Sequence, residues 1–390
     1  MRLKHWILIL STVMVCSGAM LWVLFGGGEA REVVESRVSA PEPLSIEGYR
    51  AEFRYLRDVF HQIDLDGPPV LTDGWTYNIP EAEWPFMSFC YFAYACCNLA
   101  KNDPGIRDEA LSEVRYVIEA LQTPRLAGFV TAHFGQPFGK KDFTPSVFVH
   151  GHFLNVVLRY REVSGDEKYD ELMHQIAKRL IESFSESDQG ILRSYQDMWW
   201  LTDNFVAMSA LARYAEVFSE DISALSAKLV ESVKAHYLDD HTGLFATYVQ
   251  PEGHKIMQGP RGISVMYGLQ FLADFDGRFA RAQYALAKKH LIKTGLGYGA
   301  VREFPEGHRG TGDVDSGPVL LGFGPSASGF AIGAAARMKD REVFESLLRA
   351  SRWAGMPVFE GDKLRYQTMP PVGQAVILFG KTLGPLKPVK

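Results

Sequence analysis

The segment 194–204 holds the residues most suited to chemistry in this chain. It reads Ser-Tyr-Gln-Asp-Met-Trp-Trp-Leu-Thr-Asp-Asn, so that Trp199 and Trp200 stand between the carboxylates of Asp197 and Asp203. An apolar helical run follows, which places Asp203 near the first turn, where the helix dipole favours an ionised carboxylate. Flat indole faces stack on sugar rings or line apolar pockets. The same pattern also fits a buried Trp pair followed by an ordinary capping aspartate.

A second pair of acids lies in a long glycine-rich loop. Residues 307–324 include six glycines together with Asp313 and Asp315. Long loops in compact domains often act as functional lids, although a plain surface loop has the same composition. Glycoside hydrolysis needs two carboxyl groups, one protonated and one ionised. We therefore expect Asp203 to act as the base and Asp315, desolvated when the loop closes, to act as the acid.

Two histidines flank Gly151 near the start of a predicted helix. His150 and His152 have the chemistry of an acid/base pair or of ligands for substrate hydroxyls, and helical histidines are also common structural groups. We predict no metal and no cofactor, because no third ligand accompanies the histidines and no zinc or nucleotide-binding motif is present. The predicted substrate-binding residues are Asp64, His150, Tyr195, Asp197, Trp199, Trp200 and Asp313.

Helical periodicity from residue 46 onward must position these groups. We predict twelve helices, paired through short turns, at 46–63, 85–100, 105–121, 145–163, 168–184, 202–218, 221–237, 262–274, 278–293, 326–338, 341–353 and 372–383. The segments 188–195 and 240–248 resemble each other as a turn followed by a short strand-like run, about fifty residues apart. Six helical hairpins of this kind close into an all-α, (α/α)6 toroid, and an open α-solenoid is the structural alternative.

The N-terminus predicts a membrane anchor. Residues 6–25 are uncharged and mostly apolar, long enough to span a bilayer, and Arg2 and Lys4 precede them. We therefore expect a signal anchor at 1–28, a flexible tether at 29–45 and the barrel at 46–390 on the periplasmic or extracellular side. A cleaved signal peptide is the alternative, and it places the barrel outside the cytoplasm as well.

Composition excludes other classes. The chain has 390 residues, a net charge of −5 and no basic tract, which argues against nucleic-acid binding. Of the four cysteines, Cys16 lies in the apolar N-terminal run. Cys90, Cys96 and Cys97 share an apolar, aromatic stretch, which is not the pattern of a disulfide framework.

The order of several motifs resembles the linalool dehydratase/isomerase family. The motifs are Tyr91-Phe92-Ala93-Tyr94 leading to Asp103-Pro104, Gly151 to Asn155, Val163-Ser164-Gly165 with Tyr169, Asp197 to Asn204, Thr247-Tyr248, and Val301 to Glu303 before Asp313-Val314-Asp315. The resemblance implies an (α/α)6 barrel, with His152 and Tyr248 in the pocket and a catalytic aspartate near Asp64 or Asp66. The family's two pocket cysteines fall at Ser194 and Asp203, so we expect a reaction other than linalool and geraniol interconversion.

Three functions fit these features. The first is a hydrolase of glycans, with a carboxylate acid and base in a groove lined by aromatic side chains. The second is a lyase or isomerase acting on a small alcohol, as the resemblance implies. The third is a non-catalytic glycan-binding subunit of a membrane-associated polysaccharide system. An acid-lined open groove favours the first, a closed apolar pocket containing His152 and Tyr248 favours the second, and acids too far apart to cooperate favour the third.

Overall fold

The structure is a computed structural model, and it describes residues 45–68, 75–76, 79–80, 83–130 and 146–384. The predicted anchor at 1–28 and nearly all of the predicted tether at 29–45 lie outside these residues. Within the described residues, no helix combines the length and hydropathy needed to cross a bilayer.

Twelve long helices and one short helix make up most of the described chain. They are α1 Ile46–Phe60, α2 Glu83–Asn102, α3 Arg107–Ala120, the short α4 Pro124–Ala127, α5 Val147–Ser164, α6 Asp170–Glu186, α7 Leu201–Phe218, α8 Ser223–His236, α9 Gly262–Leu272, α10 Gly277–His290, α11 Pro325–Arg337, α12 Arg341–Gly355 and α13 Pro371–Thr382. All twelve predicted helices are present, with ends shifted by a few residues.

Six of the helices form a closed inner ring. In ring order they are α2, α5, α7, α9, α11 and α13, each packs on the next, and α13 packs back on α2. The outer helices α1, α3, α6, α8, α10 and α12 alternate with them along the chain. This arrangement confirms the predicted (α/α)-toroid and excludes the open solenoid, because a solenoid has no contact between its first and last repeats.

Inner and outer helices differ in their sequence patterns. Every residue of α9 is buried, and so are sixteen of the twenty residues of α2. A helix that is apolar on all sides is stable only when neighbours surround it. Outer helix α1 instead buries one stripe, which includes Tyr49, Phe53 and Phe60, and exposes polar residues on its other face.

Small residues let the inner helices approach one another closely. A Cβ on Gly151 of α5 would lie 2.9 Å from the backbone of Ala207 of α7. A Cβ on Gly380 of α13 would lie 2.8 Å from the backbone nitrogen of Gly333 of α11. Both distances are shorter than van der Waals contact, so a larger side chain at either position would push two inner helices apart.

Short antiparallel strands join outer helices to the inner helices that follow. They are β1 Trp75–Thr76, β2 Ile79–Pro80, β3 Trp199–Trp200, β4 Tyr248–Gln250, β5 Lys255–Gln258, β6 Ile292–Gly295, β7 Tyr298–Val301, β8 Pro357–Glu360 and β9 Lys363–Tyr366. The sheets are β1–β2, β3–β4–β5, β6–β7 and β8–β9. Because all these strands precede inner helices, they lie at the end of the toroid where the inner helices begin, which we call the mouth.

Candidate active site

Asp203 lies in the first turn of inner helix α7, which begins just after Trp200. Its side chain is only 5% exposed. The pKa of this carboxyl is raised to about 7, mainly by burial. The charges of Asp315 and Glu83 also raise this pKa, whereas hydrogen bonds from Ser194 and Tyr267 lower it. The expectation that the helix start keeps Asp203 ionised is therefore wrong, because desolvation outweighs the helix dipole.

Asp315 lies in the loop between β7 and α11 and is half-buried. The pKa of its carboxyl is raised to about 6, mainly by burial. The charge of Asp313 also raises this pKa, and the charge of Arg261 lowers it. Asp315 is also near enough to Asp203 for its charge to raise the pKa of that carboxyl. The fold thus brings together two acids that are more than a hundred residues apart in the sequence.

Glu83 is a third acid at the mouth, and the sequence reasoning missed it. It is the first residue of α2, and its charge raises the pKa of both Asp203 and Tyr195. The helix was predicted to begin at Pro85, so Glu83 was assigned to the preceding loop. An acidic residue just before an apolar helical run is a common helix-start signal, and this signal could have placed Glu83 in the first turn of the helix.

His152 is fully buried between two tyrosines inside the ring. Its Nδ1 lies 2.8 Å from the Tyr94 hydroxyl, and its Nε2 lies 2.6 Å from the Tyr267 hydroxyl. The Tyr267 hydroxyl also reaches Asp203 Oδ1 at 3.4 Å. Burial lowers the pKa of His152 to about 3, so the imidazole is neutral. His152 was predicted for the site, whereas Tyr94 and Tyr267 read in the sequence as ordinary aromatic residues on apolar helices.

Two other predicted site residues have local roles. His150 is buried, its Nδ1 bonds the backbone carbonyl of Ser146 at 2.9 Å, and burial lowers its pKa to about 3. Asp64 is exposed in the turn after α1, where it accepts the backbone N–H of Asp66 at 3.1 Å. In the described part of the chain neither side chain hydrogen-bonds to Asp203 or Asp315, so their predicted participation stays a prediction.

Two of the predicted aromatic residues, Trp200 and Tyr248, lie together at the rim of the mouth. Trp200 pairs with Tyr248 across β3 and β4, and their rings stack with centroids 6.2 Å apart. The Tyr248 hydroxyl donates to the backbone carbonyl of Asp197 at 3.1 Å, while the Asp197 residue itself is exposed. Tyr248 therefore lies at the rim of the mouth. The family resemblance implied that Tyr248 shares a pocket with His152, but the hydrogen-bond partners of the His152 ring are Tyr94 and Tyr267.

Tyr195 and Trp199 lie on different sides of the same segment. Tyr195 stacks on Phe148 of α5 with centroids 6.2 Å apart, and the charges of Glu83, Asp203 and Asp315 all raise its pKa, after burial. Trp199 faces a surface cleft of about 440 Å³ that includes Arg193, Glu186 and Glu252, with the Arg193 guanidinium 5.3 Å from its ring centre. Tyr195 therefore lies near enough to the three acids for their charges to act on its hydroxyl.

Asp313 is held by an ion pair. Arg261, at the N-cap of α9 and 2% exposed, donates to both Asp313 oxygens at 2.6 and 2.9 Å and to buried Glu303 at 2.7 Å. Although burial raises the pKa of Asp313, the hydrogen bonds from Arg261 and from Ser316 keep it below its usual value. Asp313 was predicted as a substrate ligand. In the structure its carboxylate pairs with Arg261 and so holds the loop that carries Asp315.

A cleft of about 350 Å³ opens beside this ion pair. Arg261 and Asp313 line it together with Phe304, His308 and Arg309. Within the described residues, no cluster of three or more His, Cys, Asp or Glu side chains could hold a metal ion.

Comparisons with known proteins identify the fold. No family model matches the chain, and no curated protein matches it in sequence. Solved structures of glycoside hydrolases do match. An inactive variant of the alpha-1,6-mannanase of Salegentibacter sp., in complex with alpha-1,6-mannotriose, superposes with a TM-score of 0.58 at 11% identity, covering 88% of this chain and all of that one.

Two further structures match over a similar length. An unsaturated glucuronyl hydrolase specific for heparin gives a TM-score of 0.57 at 12% identity, over 86% of this chain and 95% of that one. A family 105 glycoside hydrolase of C. acetobutylicum gives 0.52 at 11% identity, over 85% and 98%. At such low identity these similarities establish a shared toroidal fold and leave activity to be argued from the site.

The resemblance to the linalool dehydratase/isomerase family is wrong. The matching structures are mannanases and other glycoside hydrolases with the same toroidal fold. The motifs that suggested the resemblance are spread over the interiors of inner helices, the short strands and the loop before α11. Tyr248, held at the rim by Asp197, does not form the expected pocket with His152.

Proposed function

We propose that this chain is a carbohydrate-active enzyme that hydrolyses a glycosidic bond at the mouth of the toroid. The observation that carries the proposal is the pair Asp203 and Asp315, two neighbouring carboxyl groups whose pKa values rise to about 7 and about 6. Glycoside hydrolysis uses one carboxyl group that stays protonated and one that is ionised at working pH. The glycoside hydrolases among the structural neighbours support the same class of reaction.

The pKa values reverse the roles expected from the sequence. Asp203, with the higher value, is the general acid that protonates the leaving oxygen. Asp315, with the lower value, is the carboxylate that activates water or attacks the sugar. Because the charge of Asp315 raises the pKa of Asp203, ionisation of one group affects the other, and between about pH 6 and about pH 7 the predominant state has Asp203 protonated and Asp315 ionised. Tyr195 supplies an aromatic surface beside the acids.

Asp203→Asn and Asp315→Asn test this assignment. Each change keeps the size of the side chain and removes its ability to exchange a proton. We expect each to lower turnover by roughly a hundredfold or more, the usual scale for general acid–base groups. The substrates to assay are alpha-1,6-linked mannan oligosaccharides and heparin oligosaccharides, which match the specificities of two structural neighbours.

The matched control is Asp362→Asn, an exposed aspartate that pairs with Arg54 at 3.4 Å on the outer surface. It should leave turnover and melting temperature unchanged. The pH–rate profile of the unmodified chain should be bell-shaped, with a maximum between about 6 and about 7. Full turnover by folded Asp203→Asn, or glycan binding with no cleavage of any substrate, contradicts the proposal; the second result favours a non-catalytic glycan-binding protein.

A further inference from the structure

Four polar side chains form one hydrogen-bonded row across the inside of the ring. Each comes from a different inner helix: Asp203 from α7, Tyr267 from α9, His152 from α5 and Tyr94 from α2. The successive separations are 3.4 Å, 2.6 Å and 2.8 Å. The row ends at the backbone carbonyl of His152, which lies 3.2 Å from the Tyr94 hydroxyl.

Tyr267, His152 and Tyr94 keep a fixed number of protons, and Asp203 is the one member of the row that can lose one. A tyrosine hydroxyl has one hydrogen to donate, and a neutral imidazole carries one N–H, on either Nδ1 or Nε2. His152 is neutral because it is fully buried, which lowers its pKa to about 3, and both tyrosines keep their protons because burial raises their pKa values. The direction of each hydrogen bond therefore depends on whether Asp203 has a proton to donate.

With Asp203 protonated, every bond can point away from it. The carboxyl O–H donates to the Tyr267 oxygen, and the Tyr267 hydroxyl donates to His152 Nε2. The imidazole then carries its proton on Nδ1 and donates to the Tyr94 oxygen, and the Tyr94 hydroxyl donates to the His152 carbonyl. Every donor in the row has an acceptor, which matters because an unpaired buried donor destabilises the fold.

With Asp203 ionised, the direction reverses. The carboxylate can only accept, so the Tyr267 hydroxyl turns toward it. The Tyr267 oxygen is then free to accept from an N–H on His152 Nε2, and Nδ1, now without a proton, accepts from the Tyr94 hydroxyl. Asp203 has released one proton to solvent, and His152 has lost one at Nδ1 and gained one at Nε2, so the row changes by a single proton in total.

We propose that Tyr267, His152 and Tyr94 are positioning residues that respond to Asp203 as a unit, so that His152 carries its proton on Nδ1 when Asp203 is protonated and on Nε2 when Asp203 is ionised. The inference rests on the proposed function for the part that Asp203 plays in the reaction. Its consequence is that both protonation states of the general acid are fully hydrogen-bonded in a water-poor interior.

Different charged groups surround the two ends of this row. The groups that act on Asp203 are Ser194, Tyr267, Asp315 and Glu83, and the buried hydroxyls of Tyr91 and Tyr195 also face its charge. Around His152, burial is the one influence on its pKa, and its ring neighbours are aromatic. At the far end of the row, the buried Arg159 guanidinium lies 5.0 Å from the Tyr94 ring centre, and although burial raises the pKa of Tyr94, the charges of Arg159 and Arg213 lower it. Neither of these guanidinium groups is among the causes of the His152 pKa shift, so Asp203 is the titrating group that acts on the row through a hydrogen bond.

Nitrogen NMR of the full chain, labelled in its histidine side chains, tests the inference without any substrate. Long-range nitrogen–proton correlations distinguish the two neutral tautomers, and His152→Gln identifies the signal. We expect His152 to change from the Nδ1–H to the Nε2–H form as the pH rises through about 7, the value for Asp203, and to remain uncharged from about pH 5 to about pH 9.

Two variants separate coupling from coincidence. Tyr267→Phe removes the linking hydroxyl and should make the His152 tautomer independent of pH. Asp203→Asn cannot ionise, so the His152 tautomer should not change with pH in this variant. Tyr284→Phe is the matched control, because it removes a buried hydroxyl bonded to Asp340 on the outer helices and should leave the transition in place.

A single tautomer across this pH range in the unmodified chain, a doubly protonated His152, or a transition that survives Tyr267→Phe overturns the inference. Kinetics gives an independent result. Because the Tyr267 hydrogen bond lowers the pKa of Asp203, Tyr267→Phe should move the alkaline limb of the pH–rate profile upward. If the His152 tautomer does not change with pH but the protein hydrolyses glycans, this inference alone is wrong. If the tautomer changes but the protein cleaves no glycan, the proposed function alone is wrong.

Discussion

Asp203 shows two opposing physical effects on one carboxyl group. Its place in the first turn of α7 favours the ionised form by about 0.3–1 kcal/mol, and up to about 2 kcal/mol in favourable geometry. Burial moves its pKa from 3.8 to about 7, which at about 1.4 kcal/mol per unit amounts to about 4 kcal/mol in favour of the protonated form. Desolvation therefore outweighs the helix dipole, and Asp203 stays mostly protonated up to about pH 7.

The raised pKa of Asp203 makes stability depend on pH. Between about 3.8 and about 7 the folded chain binds a proton that the unfolded chain has released, so the free energy of unfolding falls as the pH rises through this window. Asp203→Asn cannot ionise and should lack this part of the fall, gaining stability relative to the unmodified chain at about pH 8, by up to about 4 kcal/mol. Denaturant midpoints at about pH 5 and about pH 8 measure the difference.

The control for this measurement is Asp362→Asn, whose exposed side chain should follow the unmodified chain at both pH values. If the Asp203→Asn variant loses as much stability as the unmodified chain on going from the lower to the higher pH, Asp203 is not the buried titrating group.

At the scale of elements, a buried ion pair joins the first and last helices of the toroid. Lys381 of α13 donates to both carboxylate oxygens of Glu52 of α1, and both side chains are buried. Its ammonium also lies 5.5 Å from the ring centres of Tyr49 and Tyr366. The pair therefore connects the outer helix of the first hairpin to the inner helix that closes the ring.

Lys381→Met should destabilise the chain by about 3–5 kcal/mol, because it leaves the Glu52 carboxylate buried without its partner. Replacing both residues, as Glu52→Leu with Lys381→Met, should recover most of the loss, since no unpaired charge remains. Denaturant unfolding of the two variants measures the difference. Equal losses in both would show that packing of the lysine stem, and not the pairing of charges, holds these helices together.

At the scale of the whole molecule, closure of the ring creates the site. The inner helices alternate with outer helices, so all of them begin at the mouth, and Glu83, Asp203 and Arg261 stand at three of those beginnings. The loop before α11 brings Asp315 to the same place. Acids from distant parts of the sequence can therefore act on one substrate.

We also propose that residues 6–25 anchor the barrel to a membrane from the non-cytoplasmic side, as the apolar run after Arg2 and Lys4 predicts. A reporter active only in the cytoplasm, fused after Lys390, should then be silent. The same fusion on a chain lacking residues 1–28 should be active, which controls for expression. A strong signal from the full-length fusion contradicts the proposal.

The sequence alone determined the helices and their pairing. Helices bury long apolar stripes, and their starts and stops carry local signals, so all twelve were predicted with ends shifted by a few residues. The sequence also identified Asp203, Asp315 and His152 as candidate site residues. They are carboxyl and histidine side chains near predicted helix starts or in a long glycine-rich loop. The relation of the chain to known families was not determined, because the order of short motifs suggested one family and the solved structures that share the fold are glycoside hydrolases.

Only the tertiary structure decided how these groups behave. The pKa of Asp203 depends on burial and on Asp315 and Glu83, which come from other helices, so the local helix-start rule predicted the wrong protonation state. Tyr94 and Tyr267 are ordinary aromatic residues in the sequence, and their roles follow from facing His152 across the ring. Local structure is set by near neighbours in the chain, whereas desolvation and through-space charge are set by groups that folding brings together.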